Sequence, residues 1–393
     1  MIRQRTKTLI LFVAFGVLLT ACTAPVLKTP PASLALPSFC LPTFPDADGW
    51  YGGDGAYSIA LDGRRTLWLF GDTFASAEKE RKNRAGMDLI LGNTLAISTC
   101  SEEGQFHIQY YLNRKDGKFV SSFGTDEWLW PQDPFLAGGI LYLPLMVIRT
   151  LPDLPSPFNF KIAGHKVVRI TDYSAENPHQ WPKEMLDWTN ALVPGIEALA
   201  TTSIVHEDYV YFYPLYRRHA DKRTVLSGNL PARIAIRHLD QPAGHFEYWT
   251  SDNVWQKNLP PEKVRLVFPD ALSELSVRYF PKEKKWIAVY LSPQNRGDRL
   301  LCATADEPQG PWSQPSVLMD KIPEVTQTSS LYDPDNFCYA GKEHSQFRQN
   351  HQMIVTYVCN SLAAEDHPES FIRQNLFLYR PIVKSLPSSC LAK

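Results

Sequence analysis

The 393-residue sequence has no excess of either charge. It carries 40 Lys+Arg against 41 Asp+Glu, a formal net charge of −1. Binding to a phosphate backbone needs a clear basic surplus, so this balance argues against nucleic acid as a partner. The longest apolar run, Leu9–Leu19, falls well short of the ~20 residues a membrane-spanning helix requires. There is no C-x-x-C, which disfavours a redox motif or a zinc ribbon. The ten His show no metal-ligand spacing, and His206-Glu-Asp-Tyr is not a His-Glu-x-x-His site. Walker, G-x-G-x-x-G and G-x-S-x-G motifs are missing, as are the Ser-x-Asp-x-Gly-x-Thr-Trp boxes of six-bladed sialidases. What the sequence does have is Pro (31 residues, ~8% against a usual ~5%) and aromatic residues at 12%. That pairing favours short strands joined by tight turns over helices. Hydrophobic residues at 44% and charged residues at 21% are those of a folded chain.

The first residues address the compartment. Arg3, Arg5 and Lys7 precede the apolar run, and small residues follow it, as in a secretory signal. Leu19-Thr20-Ala21-Cys22 resembles a bacterial lipobox, which implies a signal peptide over 1–21 and lipidation of Cys22. By the same resemblance, Thr23 in place of Asp implies sorting to the outer membrane, periplasmic or surface facing. Contact with the membrane would then be through the lipid anchor only. Residues 22–38, rich in Pro, Ala and Ser, read as a tether, and 39–393 as one domain. Losing 1–21 removes three positive charges and no negative one, so the remainder is mildly acidic. Six cysteines remain after Cys22, an even number that suits disulfides in an exported chain. Cys338 and Cys359 flank one hairpin and are the pair expected to bridge.

Five weak copies of one unit run through the chain: a polar opening, a short apolar strand, a turn, then an aromatic or branched strand. Trp68, Leu143, Tyr211, Ile287 and Val355 mark the second strands, at spacings of 75, 68, 76 and 68. A period near 70 argues for radial repetition, and hence for an all-β, five-bladed β-propeller. In that geometry the openings of the innermost strands converge on the axis. They carry Asp54, Asp133, Glu197, Glu274 and Asp333/Asp335, acids suited to carboxylate chemistry or to a structural cation such as calcium. No other cofactor is indicated.

Asp54 and Asp72 lie at the open end of the first hairpin. A three-residue turn would set them opposite each other on one face, whereas a four-residue turn would not. Like charges so placed push one carboxyl pKa upward, as a general acid requires. Asn93 returns to the same end. Trp50, Tyr51, Trp128 and Trp130 could stack on sugar rings, and Arg278 and Tyr279 could reach the axis.

The segments Trp50–Leu61, Arg65–Phe74 and Gly92–Leu95 resemble an exported bacterial family of five-bladed propellers of unknown function. Some of its relatives are endo-D-arabinanases, and it is more distantly similar to the arabinanase, invertase and levansucrase propellers. Ser276–Tyr279, Trp286–Ser292 and Gly310–Pro315 fit the family's fourth repeat, so the resemblance spans roughly 48–380. Asn93-Thr94 departs from the usual Asn-Ser, and the fifth repeat is irregular. The resemblance implies catalytic or substrate-binding roles for Asp54 and Asp72. The expectation is therefore a monomeric, lipid-anchored glycoside hydrolase of the endo-arabinanase type that cleaves furanose-containing polysaccharide or oligosaccharide. Asp54 or Asp72 would be base or nucleophile and Glu274 or Glu197 the proton donor. Asn93, Asp133, Trp50, Tyr51, Trp130, Arg278 and Asp335 would contact the glycan. The alternative is a non-catalytic glycan-binding or scaffold propeller.

Overall fold

The computed structural model describes residues 40–153, 159–219, 225–349, 352–363 and 370–391. The expected signal segment, Cys22 and the tether lie outside them. Among the described residues no helix is long and apolar enough to cross a membrane. Strands dominate, because runs such as Arg65–Phe70 (RTLWLF) and Lys285–Leu291 (KWIAVYL) join branched and aromatic side chains with turn residues on either side.

Eight antiparallel sheets are present among the described residues, and five of them follow one another along the chain. Sheet 1 is Tyr57–Ala60, Arg65–Phe70, Thr94–Cys100 and Phe106–Tyr111. Sheet 2 runs Trp128–Pro131 and Phe135–Ala137 along one edge of Ile140–Thr150, followed by Phe160–Ile170 and Lys183–Asp187. Sheet 3 is Ser203–His206, Tyr209–Phe212, Ala232–Ala235, Glu247–Trp249 and Trp255–Gln256. Sheet 4 is Ser276–Phe280, Lys285–Leu291, Leu300–Ala305 and Ser316–Met319. Sheet 5 is Asn336–Glu343, Gln352–Ser361 and Ile382–Pro387. The third strand of sheet 3 stops at Ala235, where Ile236–His238 turns as a 3-10 helix.

Alternating residues on the central strands explain how the sheets stack. Successive side chains point to opposite faces. Leu67 and Leu69 pack with Leu141, Leu143 and Leu145 of sheet 2, while Trp68 and Phe70 pack with Phe347 and Ile354 of the last repeat. Tyr142 and Val167 of sheet 2 meet Val210 and Phe212 of sheet 3. Tyr213 meets Val277 and Trp286 of sheet 4. Ile287 and Val289 meet Val355 and Tyr357 of sheet 5. Each sheet is thus buried on both faces, which is why its central strands read as continuous apolar runs. The contacts proceed 1–2–3–4–5 and back to 1. This cyclic order makes the molecule an all-β β-propeller.

The return from sheet 5 to sheet 1 is made by side chains. Trp68 stacks on Phe347 with ring centroids 5.6 Å apart, and His344 Nδ1 lies 2.6 Å from Ser58 Oγ. At the periphery the buried Arg84 guanidinium donates to the carbonyls of Tyr51, Ile372, Asn375, Leu376 and Leu378. Among the described residues two disulfides are formed, Cys40–Cys100 and the expected Cys338–Cys359.

Candidate active site

The first strand of each of the five sheets lies at an edge, and these edges meet around the axis. Asp133, just before Phe135–Ala137, joins them. Its Oδ2 accepts from the Ser203 N–H (2.9 Å), Thr202 Oγ1 (3.2 Å) and Arg278 Nη2 (3.1 Å), and its Oδ1 lies 3.2 Å from Lys342 Nζ. Burial would raise the Asp133 pKa, but Lys342, Arg278 and the Ser203 N–H outweigh it and hold the carboxyl below its usual range. Lys342 also donates to Thr201 O (3.0 Å) and Leu275 O (2.7 Å). Asp133 and Arg278 therefore reach the axis but form a buried ionic tie between sheets, with Lys342 supplying positive charge there. Their expected contact with a glycan is corrected to this structural role.

Above this tie opens a cavity of about 430 Å³ that takes in Asp54, Asp72 and Glu274. The first hairpin explains the first two. Leu61 N–H bonds to Arg65 O, leaving a three-residue turn, and Asp54 N–H bonds to Asp72 O at 2.9 Å. The alternative of a four-residue turn falls away, and both acids face the same space. Gly71 makes room for this arrangement: a Cβ there would come within 3.1 Å of Asp54 Cβ. Gly55 turns the chain at φ +66°, a conformation other residues rarely adopt. Asp72 is fixed by three N–H donors on Oδ1: Gly92 N (2.6 Å), Trp128 Nε1 (3.0 Å) and Trp130 Nε1 (2.9 Å).

Glu274 comes from a different sheet, just before the first strand of sheet 4. Ser273 Oγ donates to its Oε2 at 2.5 Å. Removal from water raises its pKa above the ordinary carboxylate value, more than Ser273 and Lys342 lower it. For Glu274 desolvation, rather than a neighbouring like charge, is the main cause of the upward shift. Tyr57 closes the floor. Its hydroxyl is pushed far above its usual pKa by burial and then by Glu274, Asp54 and Asp133.

Aromatic rings line two walls. Trp128, Trp130 and Phe160 meet edge-on, with centroids 4.6 Å apart for Trp130–Phe160. Phe337 and Tyr339 stack at 5.4 Å on the wall given by sheet 5. No Lys, Arg or His lines the cavity among the described residues.

Several expected site residues lie elsewhere. Glu197 pairs with Arg217 at 3.0 Å; its neighbour Ala198 lines the cavity, so strand alternation turns Glu197 away. Trp50 is fully buried and stacked on Tyr110 at 4.5 Å, and Tyr51 packs among Phe74, Ile372 and Tyr379 with its hydroxyl on Glu78 O. Both are core rather than sugar platforms. Asn93 is buried and ties its amide to Phe123 and Leu129, so it shapes the loop below Asp72. Asp335 stays in an exposed turn, where Asp333 Oδ1 caps its N–H. Tyr279 is exposed at the far end of its strand, beside Trp286 and His206. Tyr57, Phe337 and Tyr339 were missed. The alternation Phe337-x-Tyr339 around Cys338 was the available signal, because a disulfide on one face sends its neighbours to the other.

The fold and these acids define a β-propeller with a carboxylate-bearing axial cavity. The chain belongs to the DUF5005 family, a domain of unknown function, whose model matches residues 43–384. No curated protein matches it in sequence. Among solved structures it is similar to a "putative hydrolase" from Bacteroides ovatus, at 14% identity and TM-score 0.60, with 90% of this chain and 87% of that one covered. It also aligns with a GH43_1 enzyme from Xanthomonas citri complexed with xylose, at 14% identity and TM-score 0.45, covering 88% and 90% of the two chains. A third is a GH43 β-xylosidase/α-arabinofuranosidase from a compost microbial metagenome, at 11% identity and TM-score 0.44, covering 88% and 94%.

Proposed function

We propose that the chain is a glycoside hydrolase acting on furanose-containing or related uncharged glycans at the axial cavity. The observation that carries this reading is the meeting of Asp54, Asp72 and Glu274 between two aromatic walls, with the pKa of Glu274 raised by desolvation. Glycosidic cleavage needs one carboxyl that keeps its proton and one that does not. Glu274 gives its proton to the leaving oxygen. The Asp54–Asp72 pair supplies the carboxylate that attacks the anomeric carbon or takes a proton from water. Ring faces of Trp130 and Tyr339 suit the C–H faces of sugars. The acidic, cation-free lining repels uronate and phosphate groups. We read the five sheets as five blades of one monomeric domain over 39–393. We further read Cys22 as a lipid anchor that holds this domain at the outer membrane. Lys342 supplies the axial charge that a calcium ion would otherwise bring, and the chemistry itself calls for no cofactor.

The test is release of reducing ends from arabinans, fructans and uronate-bearing glycans by the purified chain and by Asp54→Asn, Asp72→Asn and Glu274→Gln. Cleavage of neutral glycans that falls in all three variants is expected. Binding without release by the unsubstituted chain would overturn the enzyme reading. Cleavage that survives all three substitutions would overturn the assignment, and preference for uronate chains would overturn the charge argument.

A further inference from the structure

Four described cysteines are joined in the two disulfides, and the other two, Cys302 and Cys390, approach each other from separate elements. Cys302 lies in the buried strand Leu300–Ala305 of sheet 4. Cys390 is half-buried in the 3-10 turn Ser389–Leu391, which packs on that strand and on its neighbour Ser316–Met319. Both side chains belong to the apolar cluster between sheets 4 and 5, and their thiols are within hydrogen-bonding reach. An apolar setting with two neighbouring sulfurs, in a chain that already holds two disulfides, favours a third.

We propose that Cys302 and Cys390 form a disulfide that ties the last turn of the chain to sheet 4. The two thiols lose two protons and two electrons as the S–S bond forms, and a disulfide-donating oxidant takes them up to become a dithiol. Cys390 attacks first, because it is the more accessible and its hydrogen bond with Cys302 lowers its pKa. The mixed disulfide that results is resolved by Cys302, which expels the donor's second sulfur as a thiol. The closed loop encloses residues 303–389, and so the whole of sheet 5. That sheet shares no strand with sheet 1 among the described residues, and it carries Phe337, Tyr339 and Asn360 of the cavity wall. The bond therefore anchors the last sheet at the seam where the ring closes on sheet 1, and it holds a binding wall in place.

The experiment needs no substrate, so it stands apart from the glycosidase reading. The full chain, prepared in an oxidising compartment, is denatured, alkylated without reductant, digested and mapped by mass spectrometry. The expected result is a linked peptide pair carrying Cys302 and Cys390, with neither residue alkylated. Alkylation of both in protein whose other two disulfides are intact overturns the proposal, as does linkage of either to any other cysteine. As a second readout, Cys390→Ala removes only a half-buried thiol. It should lower Tm by several degrees without reductant, and the difference from the unsubstituted chain should vanish once both are reduced. Equal Tm values under oxidising conditions overturn it.

Discussion

A carboxyl that must deliver a proton near neutral pH needs surroundings that disfavour its charge, and Glu274 has them. Glu274→Gln should lower kcat by about 10²–10⁴-fold, as loss of general acid catalysis does, read from initial rates. It should also separate activity from stability. Because the folded pKa lies above the unfolded one, the stabilising neutral form is fully present below the unfolded pKa and is lost as pH rises through the folded value. The variant escapes that loss, so its Tm should exceed that of the unsubstituted chain at pH 7 and match it near pH 4. At this scale the sequence was readable where backbone chemistry left a mark. The glycines beside Asp54 and Asp72 report a crowded hairpin end, and the acids came with them. Trp50, Tyr51 and Asn93 were not readable, because in a stretch where nearly every residue is buried an aromatic or amide gives no sign of whether it faces cavity or core.

Between residue and ring stand the strands and the loops that lock them. The hairpins lay where the apolar spacing put them, since a strand buried on both faces carries its signature along its whole length. The locking loops were opaque. Arg84 sits in a run of charges, Glu78 to Arg84, that looks like a solvated surface, yet it alone is fully buried and fills five carbonyl acceptors. Burial and the neighbouring Arg380 push its pKa down to about 9, which still leaves it charged at neutral pH. Arg84→Leu strands those carbonyls without donors. It should cost about 3–5 kcal/mol in a urea titration, against under about 1 kcal/mol for the exposed Lys82→Leu.

The closed ring buries two histidines in neutral form. Burial lowers His344 to about 3, with Lys342 and Arg278 adding to the shift and Asp133 opposing it. Burial likewise lowers His165 to about 4. Each folded pKa lies below the unfolded value near 6.5, so the unfolded chain binds more protons, and stability falls as pH drops through that window. Two such groups predict a loss on the order of 3 kcal/mol between pH 7 and pH 5, measured as a falling denaturation midpoint. The depressed Asp133 adds a further loss below about pH 4. The near-constant repeat spacing disclosed the cyclic arrangement. The axial tie of Asp133, Arg278 and Lys342 stayed hidden because its members are 64 to 209 residues apart in sequence and join only when the sheets meet.

Each sheet draws its strands from one stretch of chain, and among the described residues none borrows a strand from the other end. A chain emerging N-terminus first can therefore finish its sheets in the order in which they appear, each from local pairings that close quickly. What it cannot do early is shut the ring. His344, Phe347 and the carbonyls of Ile372, Asn375, Leu376 and Leu378 that Arg84 holds arrive last, so the Trp68 face of sheet 1 must wait uncovered while four further sheets are made. For this architecture the hazardous interval in biogenesis is that wait, and a chaperone would find its target on the first sheet.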